Sequence, residues 1–164
     1  MENYNELNTN NKYKVLFVCL GNICRSPAAQ GVFQAIVDKN NAADRFYVDS
    51  AGTYGGHRGQ LPDSRMRKAA LARDYVLTHR SRPVEVTDFL DFDLVVAMDD
   101  SNYADLMHLA PSVEATRKIV KMADYLSSSE MTYIPDPYYS GADGFELVLD
   151  LLEDACANLY ASFE

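Results

Sequence analysis

The sequence predicts an α/β fold in a single three-layer domain, with a four-stranded parallel sheet flanked by about five helices. Two observations lead to this prediction. Short apolar segments rich in β-branched residues alternate with longer segments of helical spacing, which is typical of βαβ units. The length of 164 residues suits one domain, and 48% hydrophobic with 24% charged residues is an ordinary globular composition.

A strand followed directly by a helix opens the predicted domain. Residues 14–19 form a short, apolar, β-branched segment, which predicts a buried strand. A helix over residues 28–39 follows, because its apolar residues recur at helical spacing. Ser26 is a candidate cap for that helix, and Pro27 fits its first turn.

A glycine-rich loop separates the second predicted strand from the second long helix. The strand covers residues 46–49 and ends in Ser-Ala-Gly. The loop over residues 52–59 leads to a helix that ends near residue 73, with either Asp63 or Ser64 as its cap.

Two further strands are predicted in the second half of the chain. A helical turn at residues 87–90 precedes a buried third strand at 94–98. The next helix begins at Asp99 or shortly after it and ends near residue 109. A weaker fourth strand covers residues 118–122.

A loop with two prolines and two glycines, residues 133–144, precedes a last helix over residues 145–163. Parallel sheets bind ligands beyond the C-terminal ends of their strands. Because Cys19 and Asp99 both follow predicted strands, we expect them at the same edge of the sheet.

The charge pattern excludes several classes of partner. A formal net charge of −9 argues against nonspecific nucleic-acid binding, which needs clustered cations. No apolar run approaches the length of a membrane span, and the polar N-terminus lacks the apolar core of a signal peptide. We therefore expect no nucleic-acid or membrane partner, a flexible tail over residues 1–13, and one domain over residues 14–164.

The cysteine count indicates a reducing environment. Three cysteines, Cys19, Cys24 and Cys156, are a poor disulfide framework, which is typical of cytoplasmic proteins. The sequence has no paired cysteine motif, and its three histidines are scattered. We therefore expect no structural metal site.

The segment that joins the first strand to the first helix is the most informative one. It places the thiol of Cys19 and the guanidinium of Arg25 at the two ends of a short loop. Backbone N–H groups of residues 20–25 can bind phosphate oxygens, and Gly21 and Asn22 tolerate the left-handed backbone that such a nest requires. The same donors favour the thiolate, which can attack phosphorus. A cysteine at a strand end is otherwise a small buried hydrophobe, but the strand before it and the Ser-Pro and helix after it favour catalysis.

Residues 15–27, with the sequence VLFVCLGNICRSP, resemble the signature of the low-molecular-weight protein tyrosine phosphatases. The resemblance extends to residues 49–50, 98–102 and 134–139, and it covers nearly the whole chain from Lys14 onward. It implies a four-stranded parallel sheet, a phosphate-binding loop after the first strand, and no cofactor or metal. It also implies that the substrates are phosphotyrosine-containing proteins or small aryl phosphates.

Asp136 lies between two prolines, which restrict the backbone and help to aim its side chain. A Pro-Asp-Pro segment is most often only a turn. The resemblance implies instead that Asp136 is the general acid, which protonates the leaving phenolate and then acts as base toward water. With Cys19 and Arg25, it completes the predicted catalytic set.

The resemblance also implies substrate-binding and supporting positions. The predicted substrate-binding residues are Leu20, Gly21, Asn22, Ile23, Cys24, Ser26, Tyr54, Tyr138 and Tyr139. The predicted supporting residues are Ser50 and His79, which hold the loop open, and Asp99, which fixes the loop arginine Arg25. Each supporting residue also has a plainer interpretation, as a strand-end serine, a surface histidine or a helix cap.

Three points stay open at the level of sequence. Cys24 either forms a reversible disulfide with Cys19 under peroxide or packs under the loop as a filler. Tyr138 and Tyr139 are candidates for phosphorylation. The family often carries a large aromatic residue after the second strand, and in a chain without Trp either Tyr54 or His57 replaces it, or the glycines leave a more open rim.

We expect a cytoplasmic protein tyrosine phosphatase that is a monomer or a weak dimer. The second interpretation is a thiol-dependent arsenate reductase, which needs further cysteines that reach Cys19. The third is a catalytically silent module that binds phosphotyrosine or another oxyanion. The joint presence of a thiol, an arginine and an acid disfavours this third interpretation.

Overall fold

The computed structural model describes residues 11–164, so residues 1–10 of the predicted tail lie outside the described residues. The described chain contains four strands, six α-helices and one 3₁₀ helix. In chain order they are β1 (Tyr13–Cys19), α1 (Arg25–Lys39), β2 (Phe46–Gly52), α2 (Ser64–Leu71), α3 (Asp88–Asp91), β3 (Leu94–Ala97), α4 (Asp100–Leu109), α5 (Val113–Thr116), β4 (Ile119–Lys121), the 3₁₀ helix (Met122–Tyr125) and α6 (Ala142–Ala161).

The four strands form one parallel sheet in the order β2-β1-β3-β4. The predicted α/β fold with a four-stranded parallel sheet is therefore confirmed. One α-helix, α5, was not among the five predicted helices. It is a single turn, which is too short to leave an apolar period in the sequence. β1 lies between β2 and β3, and its residues from Val15 to Cys19 are all buried.

The two faces of the sheet carry separate cores. Alternate residues of β1 point to opposite faces, as in any strand. Phe17 and Cys19 belong to a core shared with α1 and α6, whereas Leu16 and Val18 belong to a core on the side of α3 and α4. The pleat thus places Cys19 on the same face as α1, the helix that follows its loop.

Several element boundaries differ from the predicted ones. β2 continues through Gly52 because it pairs with β1 as far as Cys19. α1 begins at Arg25, before Ser26, and has no side-chain cap. α6 begins at Ala142, within the segment predicted as a loop.

Two predicted helix caps are present. Asp63 accepts a hydrogen bond from Arg65 N–H at the start of α2, and Asp99 accepts one from Asn102 N–H at the start of α4. The end of β1 and the start of α4 meet at the C-terminal edge of the sheet, where Met98 N–H donates to Val18 O. None of the helices in residues 11–164 has both the length and the hydropathy that crossing a membrane requires.

Candidate active site

Most carbonyl oxygens of the loop between β1 and α1 are bound to flanking segments. The carbonyl oxygens of Cys19 and Leu20 accept hydrogen bonds from Thr53 N–H and Tyr54 N–H. Those of Gly21 and Ile23 accept from the Ser81 hydroxyl and Asp63 N–H, and all four bonds are 2.7–3.0 Å long. The N–H groups of residues 20–24 donate no hydrogen bond to any residue that the structure describes. This row of backbone donors at the edge of the sheet is suited to bind an anion.

Asn22 holds this loop, which we call the phosphate loop (residues 19–25), in its curved conformation. Its φ of 56° is left-handed, whereas the φ of Gly21 is not. The Asn22 side chain is fully buried and uses all its hydrogen-bonding capacity. Nδ2 donates to the hydroxyls of Ser26 (2.7 Å) and Ser50 (3.0 Å), and Oδ1 accepts from His79 Nε2 (3.0 Å) and Arg82 N–H (3.1 Å).

The orientation of the Asn22 amide fixes the tautomer of His79. Arg82 N–H can only donate, so the Asn22 atom that it contacts is the oxygen, and His79 Nε2 must donate to that same oxygen. The other ring nitrogen, Nδ1, lies 3.4 Å from Asp49 Oδ1. Burial lowers the pKa of His79 below its ordinary value. The Asp49 carboxylate opposes this effect, and the charge of Arg82 lowers the pKa further.

Arg82 connects the phosphate loop to two more elements. Its guanidinium lies 3.0 Å from a carboxylate oxygen of Asp49 on β2 and 3.0 Å from one of Asp88 on α3. Burial by itself would lower the pKa of Arg82, but these two carboxylates raise it above its ordinary value. Our sequence reasoning missed Arg82, because the residues around it belong to no regular element and carry no periodic pattern.

The thiol of Cys19 lies against the first turn of α1. Its Sγ is 3.0 Å from Ser26 Oγ and 3.4 Å from Ser26 N, which donates to it. Ser26 Oγ accepts a hydrogen bond from Asn22, which leaves the hydroxyl proton available for a second contact. The Cys19 sulfur is nearer to Ser26 Oγ than the other acceptor, Ala51 O, which lies 3.4 Å away. Both contacts stabilise a thiolate. Ser26 does not cap α1, because it lies inside the first turn of that helix.

Arg25 begins α1, and only 2% of it is exposed. Its Nη1 donates to Asp99 Oδ2 at 2.7 Å and to Ile134 O at 3.1 Å, and its Nη2 lies 3.6 Å from Asp136 Oδ2. Burial by itself would lower the pKa of Arg25, but Cys19, Asp99 and Asp136 raise it above its ordinary value. The guanidinium is therefore charged and fixed in position, with further N–H groups left for a ligand.

Asp99 makes both contacts that were expected of it. One carboxylate oxygen binds Arg25, and the other accepts the Asn102 N–H at 2.7 Å as the cap of α4. The carbonyl of Ile134, which sequence reasoning missed as a partner of Arg25, is held by a hydrogen bond from Ile134 N–H to Met98 O. A backbone carbonyl carries no residue-type signal, so no sequence pattern indicates it.

Asp136 and the two tyrosines after it form the outer side of the site. The Asp136 side chain is 41% exposed, and its Oδ1 accepts the Tyr138 N–H at 3.1 Å. The guanidinium carbon of Arg65 lies 5.4 Å from the centre of the Tyr138 ring and 4.8 Å from that of Phe145. These cation–π contacts attach the Asp136 loop to the start of α2.

The phosphate loop and the Asp136 loop enclose a cleft of about 240 Å³. Ten of its eleven lining residues are predicted site residues: Cys19, Leu20, Gly21, Ile23, Cys24, Arg25, Tyr54, Asp136, Tyr138 and Tyr139. The eleventh is His57. The remaining predicted residues contact the phosphate loop or one another outside this lining: Asn22, Ser26, Ser50, His79 and Asp99.

Two rings share the side of the cleft where a large aromatic residue was expected. Tyr54 and His57 both line it, with ring centres 6.1 Å apart in an edge-to-face arrangement. The His57 ring also lies against the phosphate loop, since a Cβ atom on Gly21 would be 3.0 Å from His57 Cδ2. Tyr54 and His57 therefore both form this side of the cleft.

The other two cysteines are buried, and both thiols have raised pKa values. Burial raises the pKa of Cys24, and neighbouring charges, with Asp63 the strongest of them, raise it further. Burial alone raises the pKa of Cys156, whose Sγ lies 3.8 Å from Ala29 O. Within the described residues, no group of three His, Cys, Asp or Glu side chains is arranged to hold a metal ion.

Comparison with known proteins identifies relatives over almost the whole chain. The family described as low molecular weight phosphotyrosine protein phosphatase matches residues 14–164. A low molecular weight protein-tyrosine-phosphatase of Streptomyces coelicolor is 39% identical over 153 residues, which cover 92% of this chain and 93% of that protein.

Solved structures agree with the sequence relatives. The crystal structure of a protein tyrosine phosphatase from Entamoeba histolytica, with Hepes in its active site, has a TM-score of 0.90 and 46% identity, covering 93% of this chain and 97% of that one. The crystal structure of a Drosophila arginine phosphatase has a TM-score of 0.87 and 34% identity, covering 92% and 98%.

Proposed function

The chain belongs to the low molecular weight phosphotyrosine protein phosphatase family, and we propose that it hydrolyses phosphotyrosine monoesters through a cysteinyl-phosphate intermediate. One observation carries the proposal: the phosphate loop has its carbonyls bound to flanking segments and its N–H groups without protein acceptors, with Cys19 and Arg25 at its ends. A phosphate dianion in this loop meets backbone donors, a guanidinium and a nucleophile together.

In the first step, the Cys19 thiolate attacks phosphorus in line with the leaving oxygen. The S–P bond forms while the P–O bond to the phenol breaks, so the phosphoryl group passes to sulfur. The two donors of Ser26 support this step because they stabilise the thiolate before the attack. Arg25 is the proposed clamp for two phosphate oxygens, and its contacts with Asp99 and Ile134 O hold it in place.

Asp136 is the proposed general acid in this step and the general base in the next. Protonated, it gives its proton to the leaving phenolate oxygen. It then accepts a proton from the water that attacks the cysteinyl-phosphate, the S–P bond breaks, and inorganic phosphate leaves. Its place in the cleft lining and its 41% exposed side chain support access to both the leaving group and water.

Three tyrosines support an aryl phosphate as substrate. Tyr54, Tyr138 and Tyr139 line the cleft and offer ring faces to a flat leaving group. The proposed substrates are therefore phosphotyrosine-containing proteins and small aryl phosphates. The similarity to a Drosophila arginine phosphatase makes phosphoarginine the comparison substrate.

The alternative functions receive less support. Arsenate reduction needs a second thiol that reaches Cys19, and among the described residues Cys24 and Cys156 are both buried with raised pKa values. A catalytically silent binding module needs neither a thiol nor an acid beside its guanidinium, whereas Cys19 and Asp136 line the same cleft as Arg25.

We also propose that the enzyme acts in the cytoplasm, because attack by Cys19 needs a reduced thiol. Sequence-based expectation favours a monomer or a weak dimer, and size-exclusion chromatography over a range of concentrations tests it.

Turnover of p-nitrophenyl phosphate at about pH 5.5 tests the mechanism. We expect Cys19→Ser to abolish turnover while it retains phosphate binding, and Asp136→Ala to lower kcat by about two to four orders of magnitude. Asp143→Ala is the matched control, because Asp143 is an exposed acid on the first turn of α6 outside the cleft.

The outcomes separate the candidate functions. Full activity of the serine variant refutes a cysteine nucleophile. Faster hydrolysis of a phosphoarginine peptide than of the matched phosphotyrosine peptide assigns the enzyme to phosphoarginine, and thiol-coupled arsenate reduction without ester hydrolysis favours the reductase.

A further inference from the structure

Positive charge is concentrated in one stretch of this acidic chain. Residues 57–82 contain seven of the 15 Lys and Arg residues and only two of the 24 Asp and Glu residues. The rest of the chain is therefore strongly acidic. Such a separation creates a local potential that differs in sign from the overall charge of −9.

Part of this positive charge is neutralised within the described structure. Arg65 pairs with Asp63, Arg82 pairs with two carboxylates, and Arg73 pairs with three on α6. Four cations of the stretch form no ion pair with a described residue: Arg58, Arg67, Lys68 and Arg80.

Three of these cations adjoin one segment, residues 59–62, in which Gly59, Gln60 and Leu61 are exposed and Pro62 is buried. Arg80 Nη1 donates to Gly59 O at 2.9 Å, Arg67 Nε donates to Pro62 O at 2.9 Å, and Arg58 directly precedes Gly59. Neutral carbonyl acceptors hold two of the side chains in place without cancelling their charge. We call Arg58, Arg67 and Arg80 the basic edge.

The basic edge borders the cleft on one side. His57, next to Arg58, lines the cleft. Ser81, next to Arg80, donates to Gly21 O in the phosphate loop at 3.0 Å, and Asp63 N–H, next to Pro62, donates to Ile23 O at 2.7 Å. The arginines of the basic edge are therefore attached to residues that line the cleft or bind the phosphate loop, on the side where we expect the residues that flank a bound phosphotyrosine.

Arg58 differs from the other two arginines. It also lines a shallow surface cleft with Glu85 and Asp91, although it pairs with neither. We therefore expect Arg67 and Arg80 to contribute more than Arg58 to the binding of an anionic partner.

We infer that the basic edge binds acidic residues next to the phosphotyrosine of a protein substrate; this inference rests on the proposed function. The charge complementarity is local, since the net charge of −9 opposes general binding to nucleic acid or to an anionic membrane. Exposed ion pairs are weak and are screened by salt, so the effect is a preference among substrates.

Two phosphotyrosine peptides test the inference. They differ only in flanking Asp and Glu residues, which the second peptide replaces with Asn and Gln. At low ionic strength we expect the acidic peptide to have a kcat/KM about threefold to tenfold higher, chiefly through a lower KM, and we expect salt to remove the difference.

The variants separate the basic edge from the chemistry. The double variant Arg67→Gln with Arg80→Gln should lose the peptide preference and keep its rate on p-nitrophenyl phosphate, because neither arginine lines the cleft. The double variant Lys39→Gln with Arg117→Gln is the matched control; it removes two exposed cations at the ends of α1 and α5 and should keep the preference.

The inference would be overturned by equal kcat/KM for both peptides in the native protein, or by a preference that survives in the Arg67 and Arg80 variant. Inhibition by single-stranded DNA or anionic vesicles that depends on these arginines, without a peptide preference, also overturns it. Loss of all turnover in the native protein is a different result, since it refutes the proposed function itself.

Discussion

The ring of Tyr54 occupies the space that a side chain at Gly56 would fill. A Cβ atom on Gly56 would lie 2.2 Å from both Tyr54 Cζ and Tyr54 Oη, far inside van der Waals contact. Tyr54 can therefore lie across the backbone at residue 56 and line the cleft only because residue 56 has no side chain.

Gly56→Ala should displace the Tyr54 ring and weaken substrate binding. We expect KM for aryl phosphates to rise about twofold to tenfold with little change in kcat, because one aromatic contact is worth about 0.5–1.5 kcal/mol. The free energy of unfolding should change little, since Tyr54 is more than half exposed and free to move. Gly141→Ala is the control, because nothing lies within 4 Å of a Cβ atom there. An unchanged KM in Gly56→Ala contradicts the role assigned to Tyr54.

Asp99→Asn should disturb Arg25 more than it disturbs the fold. An asparagine has one acceptor oxygen, but Asp99 accepts from both Arg25 and Asn102 N–H. We expect kcat/KM to fall about 100-fold, as misplaced catalytic groups typically cause, and inhibition by phosphate to weaken.

Ser112→Ala provides the control for that variant. It removes the cap of α5, a hydrogen bond from Ala115 N–H, without touching Arg25. It should cost about 1 kcal/mol of stability and leave kcat/KM unchanged. If both variants lose the same stability and both keep normal turnover, Asp99 acts only as a helix cap.

His79 should make the stability of the protein depend on pH below about 6.5, its ordinary pKa. Its pKa is lowered in the folded state, so between the lowered value and 6.5 the unfolded chain binds more protons than the folded chain. The free energy of unfolding should therefore rise with pH through this window and level off above it. Urea denaturation at pH 5 to 8 measures the rise. His79→Gln is the test variant, and His108→Gln, at an exposed histidine, is the control.

In His79→Gln the rise should be smaller, because glutamine can still donate to Asn22 Oδ1 but does not titrate. In His108→Gln it should be unchanged. A slope that is the same in all three proteins shows that other groups cause it.

Cys19 should react with iodoacetate at pH 7 well before Cys24 does. Burial first, and then Asp63 and other neighbouring charges, raise the pKa of Cys24, so its thiol stays protonated, whereas Cys19 has two donors from Ser26. Mass spectrometry of tryptic peptides after short exposure measures both sites, and inorganic phosphate should protect Cys19. Labelling of Cys24 at an equal rate rules out this difference between the thiols.

The parts of the molecule that follow from local residue types could be predicted. The strand from Val15 to Cys19 is apolar and β-branched, and the loop residues Gly21, Asn22 and Arg25 follow it directly in the sequence. Their chemistry depends on neighbours within a few positions. The same holds for the caps Asp63 and Asp99, because a cap acts within its own first turn.

The parts that depend on distant contacts could not be predicted. Arg82 meets Asp49 across 33 positions, and Arg25 meets the carbonyl of Ile134 across 109. No periodicity links such pairs. In the sequence, a charged residue in an irregular segment cannot be distinguished from a solvent-exposed charge, because only the fold brings its partner close. The single-turn helix α5 was missed for a different reason, since four residues are too few to show a period.

The hydrogen bonds that shape the phosphate loop have a consequence for folding. They come from residues 53–54, 63 and 81, and the bond from Ser81 to Gly21 closes a span of 60 positions. Contacts over such spans form late, because chain entropy must be lost before they are gained. Renaturation from urea should therefore restore circular dichroism first and turnover last, which makes enzyme activity a reporter of the final docking event.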